Sequence, residues 1–250
     1  ANWEIAETYL FQQDYENALK YYQRLIRVEL AAPDRLRTLV KIAECRFELG
    51  DYAGVVATLE PANLKEDPPG LTPRAHDLLS RSYLELNQRQ KSVQEVIFLL
   101  NKVSETRTRD SDIWLHWKEV TGRQMADAFY QDGDYLNALQ IYQAMAPIQA
   151  SPEWQLPIVY RIALCFEKLE MPFKADEAYR YILQNTESAP GSAEEAAAAP
   201  SGGGELAALT IIQEAAIWRR QHLDWDRSVE RKILELENDP KPTQESRNHD

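Results

Sequence analysis

Val40-Lys41-Ile42-Ala43-Glu44-Cys45-Arg46-Phe47-Glu48-Leu49-Gly50-Asp51-Tyr52 is the stretch from which the fold is read. Its ending recurs as Gln12-Gln13-Asp14-Tyr15 and Asp132-Gly133-Asp134-Tyr135, and in degenerate form at Gln88-Arg89 and Met171-Pro172. The marker positions Tyr15, Tyr52, Arg89, Tyr135 and Pro172 stand 37, 37, 46 and 37 residues apart. A period in the thirties belongs to stacked helical hairpins, each unable to bury its apolar face without a neighbour.

The segment before each marker repeats one pattern: Trp3 to Leu10, Val40 to Phe47, Asp77 to Leu84, Arg123 to Tyr130 and Tyr160 to Glu167. One register is always small, as Ala6, Ala43, Ser80, Ala126 and Ala163. A small side chain is what two closely approaching helices need, with large residues filling the space on either side. After the markers, Ala18 and Tyr22, Ala138 and Tyr142, and Ala175 and Tyr179 form pairs four residues apart on one helix face. Glycine (9) and cysteine (2) are sparse, and the 13 prolines fall mostly at segment edges and in low-complexity stretches. The reading is all-α, with almost no strand.

Of the 250 residues, 28 are Lys or Arg and 40 are Asp or Glu, a net charge of −12 that repels phosphate backbones and anionic headgroups. Nucleic acid is not an expected partner. No apolar run reaches the roughly 18 to 20 residues that a membrane-spanning helix needs, so direct membrane insertion is not expected either. The chain starts at Ala1 and enters a helical pattern at once, which reads as a piece excised from a longer protein.

On the small residue of the first helix, the Gly-Asp-Tyr turn and the Ala and Tyr of the second helix, the chain resembles the tetratricopeptide repeat (TPR) family. The resemblance covers residues 1–184 as five repeats and implies a right-handed α-solenoid of antiparallel helix pairs. The third repeat departs most, with Asn87-Gln88-Arg89 at the turn and Ser92 in place of alanine. A proline-led helix start, Pro152 to Arg161, is similar to bacterial envelope members of the family and favours the periplasm or cell envelope over the cytoplasm.

Three further regions complete the organisation. Nine residues added before the fourth repeat, including Asp110 to Trp117, extend its first helix backward by about two turns from an N-cap at Asp110 or Ser111. Residues 185–205, rich in Ala, Gly, Ser and Glu, read as a flexible loop. Residues 206–238 read as a helical pair, a degenerate sixth repeat or cap broken at Leu223-Asp224-Trp225, with Arg219 and Arg220 forming a polar outer face, and 239–250 as a disordered tail.

A search for chemistry finds no constellation to propose. Cys45 and Cys165 are isolated and share a register with Thr8, Ser82 and Ala128, as packing residues would. His76, His116, His222 and His249 show no spacing that would put two of them on one helix face beside a carboxylate. Asp132-Gly133-Asp134 lacks the ligand ladder of a calcium loop, and no phosphate-binding or nucleophile-elbow motif is present. No catalytic residue, cofactor or metal is expected.

What the resemblance implies for binding is a groove lined by the first helices. Its contact registers fall on Trp3, Glu7 and Leu10; Val40, Glu44 and Phe47; Asp77, Arg81 and Leu84; Arg123, Asp127 and Tyr130; and Tyr160, Leu164 and Glu167. The lysines and asparagines with which chaperone-tail binders of the family clamp a carboxylate are replaced by Trp3, Glu7, Val40 and Glu44. Trp114 and Trp117 either cover the third repeat or form an anchor for a partner. The expected function is a non-enzymatic scaffold or adaptor, binding a protein or peptide in a bacterial multiprotein assembly. A substrate-recruiting domain of a larger enzyme and a self-assembling solenoid are the competing readings.

Overall fold

The computed structural model describes the backbone of residues 2–27, 30–62, 71–102, 109–186 and 203–238. Among the described residues every regular element is helical. Two compact units divide the chain, Ala1–Ala150 and Ser151–Asp250.

The first unit holds four helix pairs: α1 (Asn2–Phe11) with α2 (Tyr15–Leu25), α3 (Ala32–Glu48) with α4 (Tyr52–Leu59), α5 (Leu71–Glu85) with α6 (Arg89–Asn101), and α7 (Arg109–Gln131) with α8 (Tyr135–Met145). Each first helix packs on its own second helix, α3 also packs on α5 and α5 on α7, and α6 packs on α8. The second unit holds α9 (Pro152–Lys168), α10 (Pro172–Thr186) and α11 (Gly203–Asn238), with α11 against both of the others. Ala6, Ala43, Ser80, Ala126 and Ala163 are all fully buried, as are Ala18, Val55, Ser92, Ala138 and Ala175 in the second helices. The two small registers are therefore where the helices of each pair cross.

The turns within the pairs share one geometry. Gln13, Gly50, Asn87, Gly133 and Glu170, each two residues before a marker, all have positive φ, from 57° to 78°. In every turn the next N–H reaches back to the carbonyl five residues earlier, as Asp14 to Tyr9 and Asp51 to Arg46, while the left-handed residue's own N–H bonds three residues back. This is the Schellman closure of a helix C-terminus. Asp14, Asp51 and Asp134 then cap the second helix, their carboxylates accepting from the N–H of Asn17, Gly54 and Asn137. At the divergent third turn Arg89 replaces the tyrosine and pairs with Asp132 and Asp134 of the following turn, at 3.0 and 3.3 Å.

Helix α7 is 23 residues long against 17 for α3 and 15 for α5, the extension expected of the insertion, but it is already helical at Arg109, so Asp110 and Ser111 lie inside its first turn and neither is its N-cap. Helix α4 is only eight residues long, because Pro61 has no N–H to offer the Ala57 carbonyl.

Three expectations at the C-terminal side need correction. The proposed break at Leu223-Asp224-Trp225 is absent, and a single 36-residue helix runs from Gly203 to Asn238. Nothing between Leu206 and Asn238 is Gly or Pro, so no residue interrupts the hydrogen-bond ladder. Residues 185–186 and 203–205, assigned to the loop, are helical; the rest of that stretch and the tail 239–250 lie outside the described residues. Arg219 and Arg220 do not form a polar outer face either. They pair with Glu167 of α9 and Asp176 of α10, each at 2.7 Å, and so help dock the helix they sit on.

Candidate protein-binding face

The registers expected to meet a partner fall into three groups once the helices are packed. The first group is interior. Val40 is 2% exposed, Leu164 is buried and Asp77 is 1% exposed, so none of the three presents a surface to a ligand. Trp114, 6% exposed, covers its neighbours and is no free anchor. Val40 is consumed by the core it forms with α4 and α5, and Asp77 by its bonds to Arg74 and Thr121.

The second group is engaged by the paired helix. The Tyr22 hydroxyl donates to Glu7, and the Tyr142 hydroxyl to Asp127. In the second unit Tyr179 donates to Glu167 Oε1 at 2.7 Å, and Arg219 holds the other oxygen of the same carboxylate. These tyrosines are fully buried, and burial together with the adjacent carboxylate pushes the Tyr22 and Tyr179 hydroxyls well above the usual tyrosine range. They act as fixed donors. Trp3 lies edge-on to Tyr22 with centroids 5.4 Å apart, Leu10 packs beside it, and Tyr160 lies 6.0 Å from Tyr179.

A third group forms a polar and aromatic strip across α3, α5 and α7. Glu44 accepts from Lys41 and from Arg74 Nε, both at 3.0 Å. Arg74 Nη1 donates to Asp77 at 2.9 Å, and the second Asp77 oxygen accepts from Thr121 Oγ1 at 3.0 Å. The Arg74 guanidinium also lies 5.0 Å from the Trp117 ring centroid. Arg81 lies 4.3 Å over the Phe47 ring, which meets Tyr52 edge-on with centroids 5.3 Å apart. Leu84, half-buried, follows on α5. On α7, Tyr130 stacks edge-on with Tyr135 at 5.2 Å, and exposed Arg123 pairs with Glu119 at 3.3 Å. The paired carboxylates and cations fix one another, while the aromatic rings support the guanidinium heads from below.

The middle strip was only partly visible in the sequence. Arg74 and Thr121 were missed, although they bridge three first helices through Asp77. The signal was the position of Arg74 three residues before Asp77, a spacing that places both on one helix face.

Both cysteines are buried, and burial pushes each thiol up to about 12. Ser82 at the same register is also buried, whereas Thr8 is exposed on α1. No group of His, Cys, Asp and Glu suited to a metal ion occurs among the described residues. No described helix is long and apolar enough to cross a membrane.

Comparison with known proteins adds the following. Residues 1–28 match the family model described as tetratricopeptide repeat. No curated protein sequence matches the chain. The C-terminal part of a TPR repeat-containing protein from Cytophaga hutchinsonii is 14% identical, with 73% of this chain and 64% of that chain covered and a TM-score of 0.44. This chain thus spans under two thirds of that structure. The apo form of the quorum sensor NprR from B. thuringiensis is 17% identical over 95% of this chain and 75% of that chain, with a TM-score of 0.44. A TPR repeats protein from Bacteroides fragilis is 13% identical over 92% of this chain and 93% of that one, with a TM-score of 0.41. The chain is an all-α protein of packed helix pairs similar to tetratricopeptide repeat proteins, its first pair matching the model of that family, whose fold serves in general as a non-catalytic protein-interaction module.

Proposed function

We propose that the protein is a non-enzymatic adaptor whose α3, α5 and α7 face holds a segment of a partner protein. The observation that carries this reading is the state of Arg81. Its side chain is 37% exposed and held over Phe47, and the carboxylate nearest to it, Asp77 at 3.7 Å, is already bonded to Arg74 and Thr121. A guanidinium supported by a ring and short of acceptors is preorganised to receive a carboxylate or backbone carbonyls from outside. Leu84, Phe47 and Tyr130 supply the apolar contacts beside it.

A bacterial multiprotein assembly is the setting we favour, supported by the likeness of the proline-led start of α9 to envelope members of the family. The adaptor reading is tested by affinity capture from source-cell extract with the unaltered chain and with Arg81→Glu, a change at a half-exposed position. A protein retained by the first and released by the second supports the reading, and identical captures overturn it. Such a partner then serves to measure affinity for defined variants.

A further inference from the structure

Helices α2 and α4 each pack on α3 but make no extended contact with one another, whereas α6 and α8 do. The difference follows from length: α4 stops at Leu59, ahead of Pro61, after eight residues, against 13 in α6 and 11 in α8. The space left over the α3 surface is a cleft of about 550 Å3, open to solvent on one side. Its floor is Leu36, Leu39 and Ile42 of α3, and its walls include Ile26 and Ala57.

Among the described residues the lining carries two cations, Arg35 and Arg46, and no anion. Arg35 is exposed and has no acidic partner among the described residues. Arg46 Nη1 donates to Gly54 O at 2.7 Å and Thr58 Oγ1 at 2.6 Å. Its Nε is buried and makes no hydrogen bond among the described residues, with Asp51 Oδ2 standing off at 3.7 Å. Arg46 is thus fixed at the cleft wall by Gly54, Thr58 and its ion pair with Asp51, and exposed Arg35 is the group an incoming carboxylate would meet first. The register Leu39, Ile42 and Arg46 lies on a different side of α3 from Val40, Glu44 and Phe47. The cleft is therefore separate from the face proposed above and does not depend on that reading.

We infer that the cleft between α2 and α4 is a second protein-binding site, for an acidic segment of a partner that seats one or two aliphatic side chains on Leu36, Leu39 and Ile42 and sets a carboxylate against Arg35 and Arg46. The aliphatic, ring-free floor selects branched side chains. The cation pair selects the charge. An open side suits a polypeptide that continues past both ends of the cleft.

The test is fluorescence anisotropy with a fluorescein-labelled Asp-Glu-Leu-Leu-Asp-Glu peptide against the full chain. Saturable binding is expected, weakened tenfold or more by Arg35→Glu or Ala57→Trp and unchanged by Arg81→Glu. Peptides with serine for both leucines, or lysine for every acid, are expected to bind at least tenfold more weakly. Methyl resonances of Leu39 and Ile42 in the unaltered chain are expected to shift on titration, a readout that does not depend on any variant folding. Several results would overturn the inference: no saturable binding, equal binding of the lysine peptide, uptake of dodecanoate in place of the peptide, or a concentration-dependent dimer abolished by Ala57→Trp. Loss of peptide binding in Arg81→Glu with Ala57→Trp unaffected would place the peptide on the other face and also overturn it.

Discussion

The outer and middle helix pairs of the first unit treat the same register differently. In α1/α2 and α7/α8 the second helix carries a tyrosine, Tyr22 or Tyr142, whose hydroxyl takes the carboxylate of Glu7 or Asp127 on the first helix. In α3/α4 and α5/α6 the tyrosine is replaced by Leu59 or Val96, both fully buried, and among the described residues no second-helix hydroxyl reaches a first-helix carboxylate; in α5/α6 Ser92 Oγ donates instead to the Ser80 carbonyl at 2.8 Å. Glu44 then turns to Lys41 and Arg74, and Arg81 to the Phe47 ring. The tyrosine decides whether a groove-register charge is held inside its own pair or is left to act between neighbouring pairs and toward solvent. On the function proposed above, partner binding falls to the middle pairs, while the outer pairs use the same register for internal cohesion.

Removing the side chain that marks an outer pair should have the largest effect. Tyr142→Ala deletes a fully buried ring and leaves Asp127 without that donor, so equilibrium urea unfolding should show a loss of about 3–5 kcal/mol. A loss under about 1 kcal/mol would mean that the pair is not held at this point.

In the middle pairs the equivalent keystone is polar. Asp77→Ala removes the acceptor shared by Arg74 and Thr121 and should cost about 1.5–3 kcal/mol, the range for hydrogen bonds to charged groups. The same change made together with Thr121→Val should cost less than the sum of the two single changes, because both act on one network. Additivity in this cycle would show that α5 and α7 are not coupled through Asp77.

The smallest effect concerns the turns. Gly50 and Gly133 sit at φ of 74° and 78° with open space around the position a Cβ would take, whereas Glu170 holds φ of 57° without glycine's freedom. Gly133→Ala should destabilise and Glu170→Gly stabilise, each by about 1 kcal/mol, read as opposite shifts in thermal midpoint. Shifts in the same direction would contradict a shared turn geometry.

The repeat period and small registers were legible because close helix crossings admit few residue types, and the turn markers because Asp caps a helix and Gly accepts positive φ. Gln13, Asn87 and Glu170 hid the same turn, since a Schellman closure can impose left-handed backbone on residues that do not announce it. The tyrosine-to-carboxylate bonds of the first unit had a readable signal that went unused: an acid directly after the small residue where the second helix carries tyrosine, as in Glu7 with Tyr22 and Asp127 with Tyr142, whereas Tyr179 reaches Glu167 because Leu164 holds that register. Val40 and Leu164 were misassigned because register alone does not say which first-helix positions a neighbour covers. The continuity of α11 was missed for a simpler reason, as Leu223-Asp224-Trp225 occupies a turn register but holds no residue that ends a helix. The cleft beside α4 needed the actual length of that helix.

The division between outer and middle pairs is tested most directly by measuring, side by side, the thermal midpoint and the affinity for the captured partner of Tyr22→Phe and Arg81→Glu. The account predicts that Tyr22→Phe lowers stability by about 1 kcal/mol and leaves affinity unchanged. For Arg81→Glu it predicts tenfold or greater loss of affinity, with the midpoint lowered by the new carboxylate beside Asp77 but the chain still folded. Loss of affinity in Tyr22→Phe with full binding by Arg81→Glu would contradict it.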